Sequence, residues 1–170
     1  MFNVGLIVFF SFVPPLLVEH GAESPNAAFL TSLGFWIMMG SVPIGGYFVQ
    51  RSGRPDAAIM LFSGVAGLAL SGLAATAGMP LLLCIAVGVA VGPPAGAILA
   101  MPGRVLKPES RAVGLGLFMT VYYVAAAVGP ALAGVAGDQM GASAPVIFGA
   151  FLFMSIVPLV MLFRTLHTKL

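Results

Sequence analysis

Few side chains in this chain of 170 residues could do acid–base or nucleophilic chemistry: two histidines, one cysteine and five acids. Cys84 stands alone inside an apolar run, so no intrachain disulfide can form, and it reads as a small core residue. The acids are Glu19, Glu23, Asp56, Glu109 and Asp138, and none lies near the centre of an apolar run. His20 and His167 fall at distant points of the chain. No nucleophile–base pair, metal-ligand cluster or phosphate-cradling glycine loop can be assembled from this set. The sequence therefore argues against an enzyme and asks for no cofactor and no metal. What remains able to act is a different inventory: clustered basic residues, hydroxyl and amide groups inside apolar runs, and paired prolines and glycines.

The basic residues fall in three short stretches: Arg51 and Arg54; Arg104, Lys107 and Arg111; Arg164 and Lys169. An even number of membrane-length apolar runs separates each stretch from the next. If those runs cross a bilayer, all seven cations lie on one face. Chance would place them so roughly one time in sixty, whereas retention of positive charge on the cytoplasmic side produces it. With 60% hydrophobic and 7% charged residues, the chain has too little polar surface to coat a soluble globule. The excess of cations is therefore read as topology, with the lipid bilayer as partner and no nucleic acid. A cleavable signal peptide is not expected, since the opening run has no basic residues before it and no small-residue cleavage pattern before Glu19.

Spans are expected at about residues 1–18, 27–49, 57–76, 81–102, 112–136 and 143–163, each near the length that crosses hydrocarbon as helix. Barrel strands would alternate with a period of two, and these runs do not. The connections 19–26, 77–80 and 137–142 then lie on the face without Lys or Arg, and both termini are cytoplasmic. The first span lacks the basic residues that precede a cytoplasmic start elsewhere, which points to further chain upstream of Met1; a complete small protein oriented by its later loops is the alternative.

Two triplets of spans invite comparison. Pro14 and Pro15 in the first span, and Pro93 and Pro94 in the fourth, both fall about fourteen residues from the start of their span. Because the two spans run in opposite directions, this is the pattern of an inverted three-plus-three repeat. Each proline removes an amide donor and frees a carbonyl one turn earlier. The fourth span also carries Gly88, Gly92 and Gly96 at four-residue spacing, a ladder of small residues suited to close helix packing.

The loop after the second span carries a resemblance. Gly46, Arg51, Gly53 and Arg54 match the signature loop of the major facilitator superfamily: a glycine, three residues, an acid, a basic residue, one residue, then Gly-Arg. Gln50 stands where that family usually has an acid, and Asp56, at the start of the third span, is a candidate substitute within reach of Arg54. The fifth span, with Gly116, Ala125, Gly129, Pro130, Ala133 and Gly134, resembles the family's Gly-Pro motif. Pro108, Glu109, Arg111 and Ala112 resemble the Pro-Glu-x-Arg-Ala turn that precedes it. The resemblance extends over essentially the whole chain. The family's N-terminal half often has an arginine in its fourth helix, and the fourth span here has none, which assigns this chain to the C-terminal six helices.

The resemblance implies an all-α membrane protein: six helices, an inverted repeat, and half of a major facilitator fold. The missing N-terminal six-helix half is then a partner. In the family, the first helix of each triplet lines the central cavity and the second packs between halves. Candidates to face a small-molecule substrate are Asn3 and Ser11, which project within about 80° of each other, and Thr120 and Tyr123 on the fifth span. For each, an ordinary interhelical hydrogen bond is the simpler role. Trp36 would pack between the halves or stack on a ligand. Residues expected to govern conformation are Gly46, Gln50, Arg51, Gly53, Arg54, Asp56, Pro93, Pro94, Gly129 and Pro130. The implied function is secondary transport of a small solute by alternating access. The alternative is a self-contained six-helix channel or membrane assembly subunit. The Gly-Pro-Pro run of the fourth span further resembles bacterial permeases of cyanate and small organic anions.

Overall fold

The computed structural model describes residues 1–76, 78–105 and 108–167. Its elements are α1 (Phe2–Glu19), α2 (Ser24–Ser52), α3 (Pro55–Ala75), α4 (Pro80–Val105), a 3-10 turn (Pro108–Ser110), α5 (Arg111–Met140) and α6 (Ser143–His167). No strand occurs among the described residues. Lys107 and Lys169 lie outside them. All six helices are long and apolar enough to cross a membrane, and in hydrocarbon a helix satisfies its own backbone groups.

Local chemistry sets the boundaries. Proline opens α2 and α3 within their first two positions, where its missing N–H removes nothing from the helical ladder. Gly53 ends α2 in the left-handed conformation, at φ +63°, which a side chain would strain. Helices α2 and α5 run to 29 and 30 residues, longer at both ends than the hydropathy of the sequence suggests. Hydropathy marks where hydrocarbon begins, whereas the hydrogen-bond ladder continues through polar residues such as Gln50 and Asp138 into the interface.

The packing follows the repeat. Helix α2 lies along α4, α3 packs on α6 and α4, and α1 packs on α6, α2 and α5. Exchanging the first triplet for the second turns α2–α4 into α5–α1, α3–α4 into α6–α1 and α1–α2 into α4–α5, all of which are in contact. A contact between α1 and α3 has no counterpart among the described residues. The core gathers Phe9, Val13 and Leu16 of α1, Leu70 and Leu73 of α3, Val87 and Val91 of α4, and Phe153 of α6. The least covered helices are α2 and α5, the middle members of the two triplets.

Candidate functional site

The tightest seam in the bundle joins α2 to α4, and small residues make it so. A methyl group added at Gly88 would lie 2.5 Å from the Gly34 carbonyl oxygen, and one at Gly96 would lie 3.2 Å from Cα of Gly46. Gly92 faces Ser41 so closely that no side chain fits between them. The Gly88, Gly92 and Gly96 ladder thus presses on α2, where Gly34, Ser41 and Gly46 receive it. Ser41 Oγ donates across the seam to the Gly88 carbonyl at 2.9 Å and lies 3.2 Å from the Met38 carbonyl of its own helix. In hydrocarbon, where burying apolar surface gives no advantage over lipid, close backbone approach and such hydrogen bonds hold helices together. Pro93 and Pro94 are both buried, Pro93 in this seam against Gly45.

A smaller version of the seam joins α1 to α5. Gly129 is buried against Val4, and Val4, Val8 and Ala133 form a local core with Phe12 and Ala125 beside it. Pro130 is half-buried next to that contact. The Gly-Pro pair therefore acts here as a packing site.

At the end of α2, the signature-loop residues occupy distinct positions. Gly46 is buried against Gly96, while Gln50 is exposed on the last turns of the helix. Arg51 donates from Nη1 to the Tyr47 hydroxyl one turn back, at 3.1 Å. The backbone N–H of Arg54 lies 3.4 Å from Ser52 Oγ. Among the described residues, no ion pair joins Arg54 to Asp56, contrary to the pairing the sequence suggested. The reason is spacing: Arg54 caps α3 from a non-helical conformation, and residues two apart do not face each other at a helix start. Both side chains instead line a cavity of about 400 Å³ with Arg164 from the end of α6.

The four cavity candidates do not form one cluster. Asn3 is half-buried near the start of α1 and Ser11 is exposed on the same helix. The Thr120 hydroxyl bonds to the Gly116 carbonyl within its own helix at 2.9 Å. Tyr123 is 66% exposed and meets Tyr122 edge to face, with centroids 5.4 Å apart. Val4 packs at Gly129 and Phe12 packs near Gly134, so α1 and α5 run in the same direction. At 1.5 Å per residue, Tyr123 is then roughly 20 Å from Ser11 along the helix axes. On the same ruler Asn3 lies about 8 Å from the level of Tyr123 and about 12 Å from Ser11, so Ser11 is the candidate farthest from the others along the helix axes.

Sequence reasoning did not single out Ser41, Tyr47 or Arg164. Tyr47 and Arg51 stand one helical turn apart, and that spacing was a usable signal. The partner of Ser41 comes from another helix, and Arg164 meets Arg54 and Asp56 only as lining of one cavity. Nor did it find a groove between α1 and α2 lined by Phe10, Pro14, Thr31, Ser32, Phe35 and Trp36.

Six apolar helices in two inverted triplets, sealed by small-residue seams, define a multi-pass membrane protein with no metal-ligand cluster among its described residues. A family model described as Major Facilitator Superfamily matches residues 1–169, and the chain belongs to that superfamily. Its members transport small solutes across membranes and are not enzymes. No curated protein and no solved structure matches the chain.

Proposed function

We propose that this chain is the C-terminal bundle of a secondary transporter that moves a small solute by alternating access, rocking against an N-terminal six-helix bundle around a midplane site. It resides in a bacterial inner membrane with both termini cytoplasmic. The observation that carries the reading is the uneven covering of the helices. Helices α2 and α5 are related by the repeat, and both leave large side chains uncovered. On α2 these include Phe35, Trp36, Met39 and Tyr47; on α5 they include Leu117, Val121 and Tyr123. A second bundle seated on both helices would cover them and enclose α1, with Pro14 and Pro15 inside it, between the two halves. The basic loop after α2, with Arg51 and Arg54 beside the left-handed Gly53, supplies an element whose packing can differ between two access states.

The test is solute counterflow in proteoliposomes. A carrier that alternates exchanges labelled for unlabelled solute with saturation and transient accumulation. A flux that rises linearly with concentration and shows no exchange would overturn the carrier reading in favour of a homo-oligomeric channel.

A further inference from the structure

A groove of about 340 Å³ opens between α1 and α2, within the size range of small-molecule sites. Its wall is aromatic. Phe10 and Phe35 meet edge to face, 5.3 Å between centroids at 77°, and Trp36, 69% exposed, completes the surface. Thr31 and Ser32 supply the hydroxyls. That of Thr31 is committed to the Ala27 carbonyl at 3.0 Å, while that of Ser32 makes no hydrogen bond among the described residues. Pro14 lines the groove as well, and because proline has no N–H, the carbonyl of Phe10 one turn earlier lacks its helical donor.

Most of these parts attract positive charge. Aromatic faces are negative at the centre of the ring, a carbonyl oxygen freed of its helical donor is a spare acceptor, and both attract cations. No Lys or Arg of this sequence precedes Arg51, and the acids Glu19 and Glu23 stand at the end of α1 and just before α2. A carboxylate entering the groove would find only two neutral side-chain donors, the Ser32 hydroxyl and the Trp36 indole N–H, and desolvating an anion for neutral hydrogen bonds alone is unfavourable.

Resting on the reading of this chain as a solute transporter, we propose that the groove is a binding subsite for the ring-bearing head of a protonated organic amine. The ring lies against Phe35 and Trp36, and the ammonium is directed to the Phe10 carbonyl and the Ser32 hydroxyl. The subsite thereby favours organic cations over the organic anions that the Gly-Pro-Pro resemblance suggests.

Trp36 is the single tryptophan of the chain, so it reports on the groove directly. The chain, labelled with 5-fluorotryptophan and placed in nanodiscs of zwitterionic lipid, is titrated with 2-phenylethylammonium and separately with its anionic counterpart 3-phenylpropanoate, following the one fluorine resonance. The expected result is a saturable shift with the cation and none with the anion. Phe35→Leu, which keeps apolar bulk but removes the ring, weakens cation binding about two- to fivefold. Ser32→Ala, at an exposed and unpartnered hydroxyl, weakens it without a packing change. Equal shifts with both ions, a shift that never saturates, or unchanged affinity in both variants overturns the subsite. Counterflow of a solute without any cation-specific shift overturns the subsite and leaves transport standing. Cation-specific binding without counterflow of any solute overturns transport alone.

Discussion

Ser41 on α2 reaches across to the carbonyl oxygen of Gly88 on α4 at 2.9 Å, and a turn further along α4 it lies directly over Gly92. One small side chain thus supplies both the hydrogen bond and the spacer of the tightest helix seam. Ser41→Ala removes the bond and leaves the close approach intact. The expected loss is about 0.6 kcal/mol and at most about 1.7 kcal/mol, the range of interhelical hydrogen bonds in membrane proteins. Thermal denaturation of the purified chain in one detergent, wild type against variant, measures it.

Gly92 and Gly40 make a matched pair of substitutions. A methyl at Gly92 collides with Ser41, so Gly92→Ala should destabilise by about 1–3 kcal/mol, and Gly92→Leu should prevent the seam from closing at all. A methyl at Gly40, also inside a helix, meets nothing within 4 Å. Gly40→Ala is therefore expected to be neutral or to stabilise by up to about 1 kcal/mol through helix propensity alone. Monodisperse yield and melting midpoint separate the two. A Gly92→Leu chain that melts like wild type would show that α2 and α4 do not meet along this ladder.

Much of this architecture was legible in the sequence because lipid imposes simple rules. Continuous apolar runs give helices, and all six expected spans are helices in the structure. The four-residue spacing of Gly88, Gly92 and Gly96 gives one face of α4, and the structure places that face on α2. The candidate site was far less legible. Periodicity fixes the direction in which Ser11 or Tyr123 projects from its own helix, but it carries no information about how far one helix slides along another. That offset is set by contacts such as Val4 on Gly129, and it separates residues that share a direction by roughly 20 Å. The groove was missed for a related reason. Ser32 and Phe35 are unremarkable along α2 and acquire a common role only when Phe10 and Pro14 of α1 are laid beside them.

Gly53 holds a φ of +63°, and the two arginines of the loop flank the turn it makes. Gly53→Ala forces a side chain into the left-handed region, at a cost of about 1–2 kcal/mol. Because the strain falls on the connection between α2 and α3 and leaves the helix seams untouched, the chain should still fold while the loop geometry shifts. Arg51→Ala removes the hydrogen bond to the Tyr47 hydroxyl. In the intact transporter, Arg51→Ala and Arg54→Ala should lower transport more than surface abundance, since they change a conformational balance and not the core. Uptake normalised to immunodetected protein checks this. Equal losses of both would leave the loop with a topological role only.

Orientation offers the most direct test, because the chain comes with its own low background. Its single cysteine, Cys84, is fully buried and should react slowly with a charged, membrane-impermeant maleimide. Ser24 at the start of α2 and Ser52 at its end are both exposed, and a helix of 29 residues separates them. At 1.5 Å per residue, that helix spans about 40 Å, enough to carry the two serines to opposite sides of a bilayer. With the cations held on the cytoplasmic side, Ser24→Cys should be modified in intact cells and Ser52→Cys only after the membrane is permeabilised. The opposite pattern would place Arg51, Arg54 and the whole basic loop outside the cell, and the cytoplasmic assignment of both termini would fall with it.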